Sequence, residues 1–274
     1  MSGRAARAGL YFLTLVIVFF SLLPFLWFLD TSLKTQGEVT AIPPTLVPSG
    51  SFHFYQSAIV NYNLFHYLKN SAIVAGTTTV ITLIVSVFAG YALARLRVPR
   101  KGLIMGSLLL VSMFPQISIA GPVWKILQSF GWLNTYQGLI LPYVTLTLPL
   151  GVWILTSFFK ELPEELEKAA RIDGCSHFQA LFKIIVPLAA PGVFTAAILI
   201  FIYAWNEFFF ALLIMTRQQY QTLPVGIALF QGQYTMPWGE IAAASTVATV
   251  PLVFLVFLFQ KRIIRGLSAG AVKG

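Results

Sequence analysis

Long uncharged stretches alternate with short polar segments along almost the whole chain. Six apolar runs stand out: Leu10–Leu29, Ser71–Ala94, Gly102–Trp124, Leu139–Phe159, Pro187–Asn206 and Ile241–Phe259. Each run has about 20 residues, the length that a helix needs to cross a hydrocarbon layer of about 30 Å. Backbone groups inside a bilayer must satisfy their hydrogen bonds within the segment, so the runs predict transmembrane helices. With the apolar continuation of the fifth run, the predicted spans cover about 10–29, 71–94, 102–124, 139–159, 187–214 and 241–259.

Composition supports the same interpretation. The chain is 57% hydrophobic and only 10% charged, whereas a soluble domain has about 25% charged residues. We therefore predict an all-α integral membrane protein with lipid as its solvent and one transmembrane domain over 1–274. The single cysteine, Cys175, excludes an intrachain disulfide, and His53, His66 and His177 are scattered, so we predict no metal site.

Basic residues are distributed unevenly between the predicted loops. If the N-terminus lies in the cytoplasm, only Lys34, Lys69, Lys125 and Arg217 of the 18 lysines and arginines fall outside. This bias predicts a multi-pass protein with both termini cytoplasmic. The first run is longer than the apolar core of a cleaved signal peptide, so we expect it to be a retained span. The net charge of +9 is explained as a topology signal, and no nucleic acid partner is predicted.

The third span is predicted to be irregular. Pro115-Gln116 and Gly121-Pro122 lie within one apolar run, and proline removes a backbone hydrogen bond and kinks a helix. Two explanations remain open, which are a kink that serves packing and the lining of a hydrated path through the membrane.

The segment 160–186, which we call the coupling loop, is the one long predicted cytoplasmic connection, and its first half predicts a short helix. Pro163 and the acids that follow it suit a helix start, because proline fits the first turn and carboxylates complement the helix dipole. Glu164 precedes Lys168 by four residues, a spacing that predicts an ion pair on an exposed face. Asp173-Gly174 predicts the helix end, with the glycine in the left-handed conformation.

The second half of the coupling loop predicts another short helix. Ser176 with Gln179 three residues later forms a capping-box pattern. Two short helices at an angle make a rigid element, and Ala169, Ala170 and Gly174 give it a small-residue surface that another protein can approach closely. The pattern therefore indicates a docking element.

The coupling loop resembles the EAA loop with which permease subunits of ABC importers dock onto their ATPase subunit. The positions in register with that motif are Ala169, Ala170, Gly174, Ile184 and Pro187. Lys168 stands where the motif has its glutamate, with Glu167 one residue earlier, and Val186 replaces a leucine. The resemblance implies an ATPase-coupling site that comprises Glu164, Glu165, Glu167, Lys168, Ala169, Ala170, Asp173 and Gly174.

Other stretches are similar to the smaller permease of maltose-type sugar importers: Gly131–Thr135 with Gly138–Leu141, the Trp205–Phe208 element and the tail Gly266–Gly274. The resemblance implies the six-span bundle of type I ABC importers, located in a bacterial or archaeal cytoplasmic membrane. It also implies a sister permease, two cytoplasmic ATPase subunits and an extracytoplasmic sugar-binding protein. ATP and magnesium would be used by the ATPase, and no cofactor is expected on this chain.

Glu207 is a carboxylate inside a predicted span, which makes it a candidate functional residue. With Trp205 and Asn206 it would line a substrate path for a sugar; alternatively, it would join two helices through hydrogen bonds. A proton-coupled secondary transporter that uses Glu207 is the alternative function. The sequence has no glycine-rich loop that ends in Gly-Lys-Ser/Thr and no clustered catalytic side chains, so we predict a transporter subunit and not an enzyme.

Overall fold

Helices make up the structure, because each apolar segment satisfies its backbone hydrogen bonds internally. The computed structural model describes residues 2–230 and 236–271, and no strand occurs among those residues. The helices in the first half of the chain are α1 Ser2–Ser32, α2 Gln36–Val39, α3 His53–Val60, α4 Leu64–Arg95, α5 Lys101–Met113, α6 Gln116–Ser129 and α7 Tyr136–Glu161. Those in the second half are α8 Glu164–Ile172, α9 His177–Ala180, α10 Val186–Leu188, α11 Ala190–Asn206, α12 Phe209–Ile214, α13 Leu223–Ala228 and α14 Trp238–Ala271. A π-helical turn, Leu181–Ile185, joins α9 to α10, and a 3-10 turn covers Gln218–Tyr220.

Helices of the structure lie where the sequence predicts spans. Four are long and apolar enough to cross a membrane: Gly9–Ser32, Leu64–Arg95, Tyr136–Glu161 and Trp238–Gln260. Two bent pairs, Lys101–Met113 with Gln116–Ser129 and His177–Leu188 with Ala190–Asn206, pass the same test when each pair is taken as one span. Counted in this way, the described residues contain six candidate spans by length and composition.

Proline explains the bend in the third span. The helices α5 and α6 meet at an angle of 93°, and the break lies at Phe114 and Pro115, both of which have extended backbone. A residue before proline avoids the helical conformation, so α5 ends there. The predicted irregularity of this span is confirmed. By contrast, Pro142 and Pro149 lie within the continuous helix α7.

The fifth predicted span, 187–214, is interrupted twice. The first break is at Ala189, where the axis bends by 79°. The second is at Glu207, whose backbone is extended and separates α11 from α12. The apolar composition of this region indicated one continuous helix, but the Glu207 side chain bonds to the start of α12 and ends α11.

The chain packs into two compact units, of which the first comprises 1–66 and 226–251. In this unit the Ser57 hydroxyl donates to Glu240 at 3.0 Å. Gly239 lies against the Phe54 ring so closely that a Cβ atom would approach the ring to 2.3 Å. The segment that contains α3 is thereby packed against the start of α14.

The second unit comprises 67–225 and 252–274 and contains the coupling loop. Its core is formed by buried side chains from α4, α7, the π-helical turn and α11, namely Val87, Tyr91, Leu155, Phe159, Leu181, Ile185, Ala189, Ala196 and Ile200. Gly90 allows α4 to approach α7 closely, since a Cβ atom there would lie 3.1 Å from Leu155. The second half of the coupling loop is therefore part of the core of this unit.

Candidate coupling site

The first helix of the coupling loop begins and ends as the sequence predicts. Pro163 is the N-cap of α8, with three glutamates in the first turn. At the other end Gly174 has a φ of 89°, and the N–H groups of Gly174 and Cys175 donate to the carbonyls of Arg171 and Ala170 at 3.1 and 2.9 Å. These two bonds form a Schellman motif, which satisfies the carbonyls at the end of α8.

The predicted capping box at the second helix is also present. The Ser176 hydroxyl accepts a hydrogen bond from the Gln179 N–H at 3.2 Å. In return, the Gln179 side chain accepts one from the Ser176 N–H at 2.9 Å. The turn between α8 and α9 is therefore hydrogen-bonded on both sides, which makes the loop a defined structural element.

The eight residues of the predicted coupling set lie on two faces of the loop. Six are exposed: Glu164, Glu165, Lys168, Ala169, Asp173 and Gly174. Glu167 and Ala170 are buried and face the protein. Lys168 and Glu164 pair at 3.4 Å, as their spacing predicts, and both side chains are about two-thirds exposed. An exposed pair of this kind contributes little to stability, about 0.3–0.5 kcal/mol.

The exposed face also carries large apolar side chains that the sequence analysis did not single out. Ile172 at the end of α8 is 87% exposed and Phe178 in α9 is 62% exposed. The signal was present in the sequence, because Ile172 lies between Arg171 and Asp173 in an otherwise polar turn. These residues give the loop an apolar tip as well as a charged surface.

Glu167 lies at the centre of a polar cluster in which only the His177 side chain is half-exposed. Its carboxylate accepts a hydrogen bond from the Tyr91 hydroxyl at 2.5 Å, and His177 Nδ1 lies 3.4 Å from the same oxygen. Arg95 Nε is 4.0 Å from the second oxygen, and Arg95 Nη2 donates to the Leu162 carbonyl at 2.5 Å. The cluster joins the end of α4 to both halves of the coupling loop. Sequence reasoning missed it, since Tyr91 and Glu167 are 76 residues apart.

Glu207 is also buried, and its carboxylate caps a helix. It accepts hydrogen bonds from the N–H groups of Phe210 at 2.8 Å and Ala211 at 3.2 Å. The Tyr143 hydroxyl donates to the same carboxylate in a short hydrogen bond. The side chain thus satisfies N–H groups at the start of α12 that have no partner within the helix.

The three residues of the predicted substrate path do not share one surface. Trp205 is buried and stacks on Phe201 with ring centroids 5.5 Å apart. Asn206 is exposed, and its amide donates to the Ile202 carbonyl at 2.8 Å. Glu207 is only 7% exposed. The structure therefore brings Glu207 to Tyr143 and does not bring it to Asn206.

Comparison with known proteins identifies the family. Residues 83–269 match the family described as binding-protein-dependent transport system inner membrane component. The chain belongs to this family. The matched region includes the whole coupling loop, so the family predicted from the loop pattern is confirmed, and the permease is a transporter subunit and not itself an enzyme.

Full-length relatives agree with this assignment. The permease is 43% identical over all of its length to a sulfoquinovosyl glycerol transport system permease protein of Agrobacterium fabrum, covering 95% of that relative. It is 45% identical to a trehalose/maltose transport system permease protein of Thermococcus litoralis, with 92% of each chain covered. It is 44% identical to a trehalose transport system permease protein of Mycobacterium tuberculosis, with 98% of this chain and 99% of that relative covered.

The fold is that of a solved importer. A chain of a bacterial ABC transporter involved in the import of the acidic polysaccharide alginate matches with a TM-score of 0.81 at 20% identity, covering 95% of the permease and 97% of that chain. The predicted all-helical ABC importer fold is therefore confirmed.

Proposed function

We propose that the permease forms part of the membrane pathway of an ATP-driven importer for a sugar, an oligosaccharide or a related glycoside. The observation that carries this proposal is the set of relatives at 43–45% identity over more than nine-tenths of the chain, whose names all specify carbohydrate or glycoside transport.

Direct uptake tests the substrate class. The permease would be reconstituted into proteoliposomes with its binding protein, sister permease and ATPase, and ATP would be enclosed. We expect uptake of at least one labelled glycoside among trehalose, maltose and sulfoquinovosyl glycerol, and none of labelled methionine. ATP-dependent uptake of the amino acid, with no glycoside carried, would contradict the proposal.

The assembly that we propose contains one copy of this chain, one sister permease, two cytoplasmic ATPase subunits and an extracytoplasmic binding protein. The family description supports the binding protein, and the exposed apolar tip at Ile172 and Phe178 supports a protein partner for the coupling loop. ATP and magnesium would be bound by the ATPase subunits. Masses of the intact purified complex would give the subunit count, and a complex that lacks an ATPase would contradict the assembly.

We place the coupling loop and both termini in the cytoplasm, on the basis of the asymmetric distribution of lysine and arginine. Single cysteines at the exposed positions Ser49, Gln128 and Gln219, in a Cys175→Ser background, should react with a membrane-impermeant reagent added to intact cells. A cysteine at Ser176 should react only after the cells are opened. Labelling of position 176 from outside would reverse the orientation.

The proton-coupled alternative has less support from the geometry. A proton carrier must release and rebind its proton during transport, but the Glu207 carboxylate accepts two backbone hydrogen bonds and one from Tyr143. This arrangement is that of a helix cap, and it favours a structural role for Glu207.

A further inference from the structure

We propose that Glu167 is a positioning residue that fixes the coupling loop to the end of α4, so that movement of the loop is passed to this long helix. The proposal rests on the proposed function, because it assumes that the coupling loop receives the movement of an ATPase subunit. It assigns the single buried glutamate of the loop to force transmission and not to contact with the ATPase.

The burial of Glu167 supports this assignment. Only 9% of the residue is exposed, whereas its neighbours Leu166 and Lys168 are exposed. A partner that covers the outer face of α8 would contact those neighbours and not the Glu167 carboxylate. A buried carboxylate is retained where its oxygens are bonded, because an unpaired buried charge is strongly destabilising.

The partners of Glu167 come from two other elements, α4 and α9. Tyr91 and Arg95 lie one turn apart at the end of α4, and His177 opens α9. Arg95 also donates to the Leu162 carbonyl, where α7 ends and the loop begins. One carboxylate therefore connects α8, α9 and α4, and a displacement of either loop helix must move α4 or break the cluster.

The helix α4 is suited to carry such a displacement. Its 32 residues form a rod about 48 Å long at 1.5 Å per residue. The close approach of Gly90 to Leu155 packs it on α7 near the cluster. Near its other end, the Asn70 amide donates to the Gln221 carbonyl at 2.8 Å, and Ser71 accepts from the Leu223 N–H at 2.8 Å. The rod is thus bonded at one end to the coupling loop and at the other to the segment that joins α12 to α13.

The variants Tyr91→Phe and Glu167→Gln test the proposal in the complete reconstituted complex. Phenylalanine keeps the ring in the core and removes only the donated bond; glutamine keeps an acceptor for Tyr91 and removes the charge. A hydrogen bond to a charged group increases the population of the loop conformation that contains the bond, relative to the one that lacks it, by about tenfold or more. We therefore expect both variants to bind the ATPase with unchanged affinity and to hydrolyse ATP, but to import about tenfold less substrate per ATP.

Tyr55→Phe is the control outside the cluster, since it also removes one tyrosine hydroxyl, which makes a part-buried hydrogen bond with Ser32. It should keep the wild-type ratio of substrate imported to ATP hydrolysed. The double variant Tyr91→Phe/Glu167→Gln should be no worse than the more impaired single variant, because both changes act on one interaction.

Two results would overturn the proposal. One is a wild-type ratio of import to hydrolysis in both single variants. The other is loss of ATPase binding in those variants, which would make Glu167 a docking residue. Failure of the proposed function is separate from both results, since it would appear as absent ATPase binding or absent import in the wild-type complex.

Discussion

Substitution of Glu207 distinguishes a structural role of its carboxylate from a role in transport. Its oxygens accept hydrogen bonds from the Phe210 and Ala211 N–H groups at 2.8 and 3.2 Å and from the Tyr143 hydroxyl. Phe210 bonds to one carboxylate oxygen and Ala211 and Tyr143 to the other, so glutamine keeps an acceptor for only part of this set, and alanine keeps none. We expect Glu207→Gln to retain most import activity and Glu207→Ala to destabilise the permease.

The magnitude follows from the bonds that are lost. Removal of a capping acceptor costs about 1 kcal/mol. The Tyr143 hydroxyl keeps only its long 3.4 Å bond to the carbonyl of residue 207, and the loss of its bond to the carboxylate adds about 1–3 kcal/mol. Hydrogen bonds between membrane helices average only about 0.6 kcal/mol, so the lower part of this range applies. We therefore expect Glu207→Ala to lower the free energy of unfolding by about 2 kcal/mol and Tyr143→Phe, the control that leaves the cap intact, by less than about 1 kcal/mol.

The assay combines stability with import. Unfolding of the purified permease by SDS in mixed micelles gives the free energies, and import is measured per assembled complex in proteoliposomes. A Glu207→Gln variant with unchanged stability and no import would refute the structural role and return Glu207 to the substrate or proton path. An alanine variant as stable as the wild type would show that the capping bonds contribute nothing.

Three further variants test the coupling loop and the tail. Gly174→Leu should abolish ATPase binding. The control Gly131→Leu places a side chain at a similarly positive φ outside the loop, so it should share only the backbone strain. Equal ATPase binding by both variants would refute a tight fit at Gly174. Ile172→Ala should weaken ATPase binding about tenfold, because less apolar area would be buried in the complex. Ile42→Ala should not, since Ile42 is also highly exposed but far from the loop in sequence. An unchanged dissociation constant for Ile172→Ala would exclude the apolar tip from the interface. Deletion of 268–274 should leave membrane insertion intact and reduce import per ATP. Residues 272–274, and the side chains of the whole segment, lie outside the described part of the structure. Wild-type import by the truncated permease would show the tail to be dispensable.

Local sequence spacing predicted the features of the coupling loop that depend on neighbouring residues. Two of these features are contacts within four residues, the Ser176–Gln179 capping box and the Glu164–Lys168 pair. The third is the left-handed backbone conformation of one residue, Gly174. The six apolar runs predicted the spans for the same reason, because the length of an uninterrupted apolar segment is a local property. These features require no knowledge of which helices pack together.

The contacts that define the buried carboxylates could not be predicted in this way. The Tyr91–Glu167 bond joins residues that are 76 positions apart, and nothing in either segment specifies the other as its partner. The break at Glu207 was in principle accessible, since an acidic side chain just before a helix can accept hydrogen bonds from the first N–H groups of that helix. The apolar residues on both sides concealed it, because hydropathy measures solvent preference and not helix continuity.

Both buried acids of the described residues use a tyrosine as partner, Tyr91 for Glu167 and Tyr143 for Glu207. Tyrosine supplies an O–H donor at the end of an apolar ring, and at Glu207 it satisfies the carboxylate without the desolvation cost of a second buried charge. At Glu167 the buried Arg95 side chain lies 4.0 Å away in addition to the tyrosine. Carboxylates held in this way are occupied by internal bonds, which leaves the exposed acids Glu164, Glu165 and Asp173 to meet a partner of the coupling loop. Charge reversal at these exposed positions should therefore alter the affinity for the ATPase and its salt dependence, whereas changes at Glu167 should alter the import obtained from each ATP. The two effects have different physical origins, since the first depends on charges at an interface and the second on the rigidity of the connection behind it.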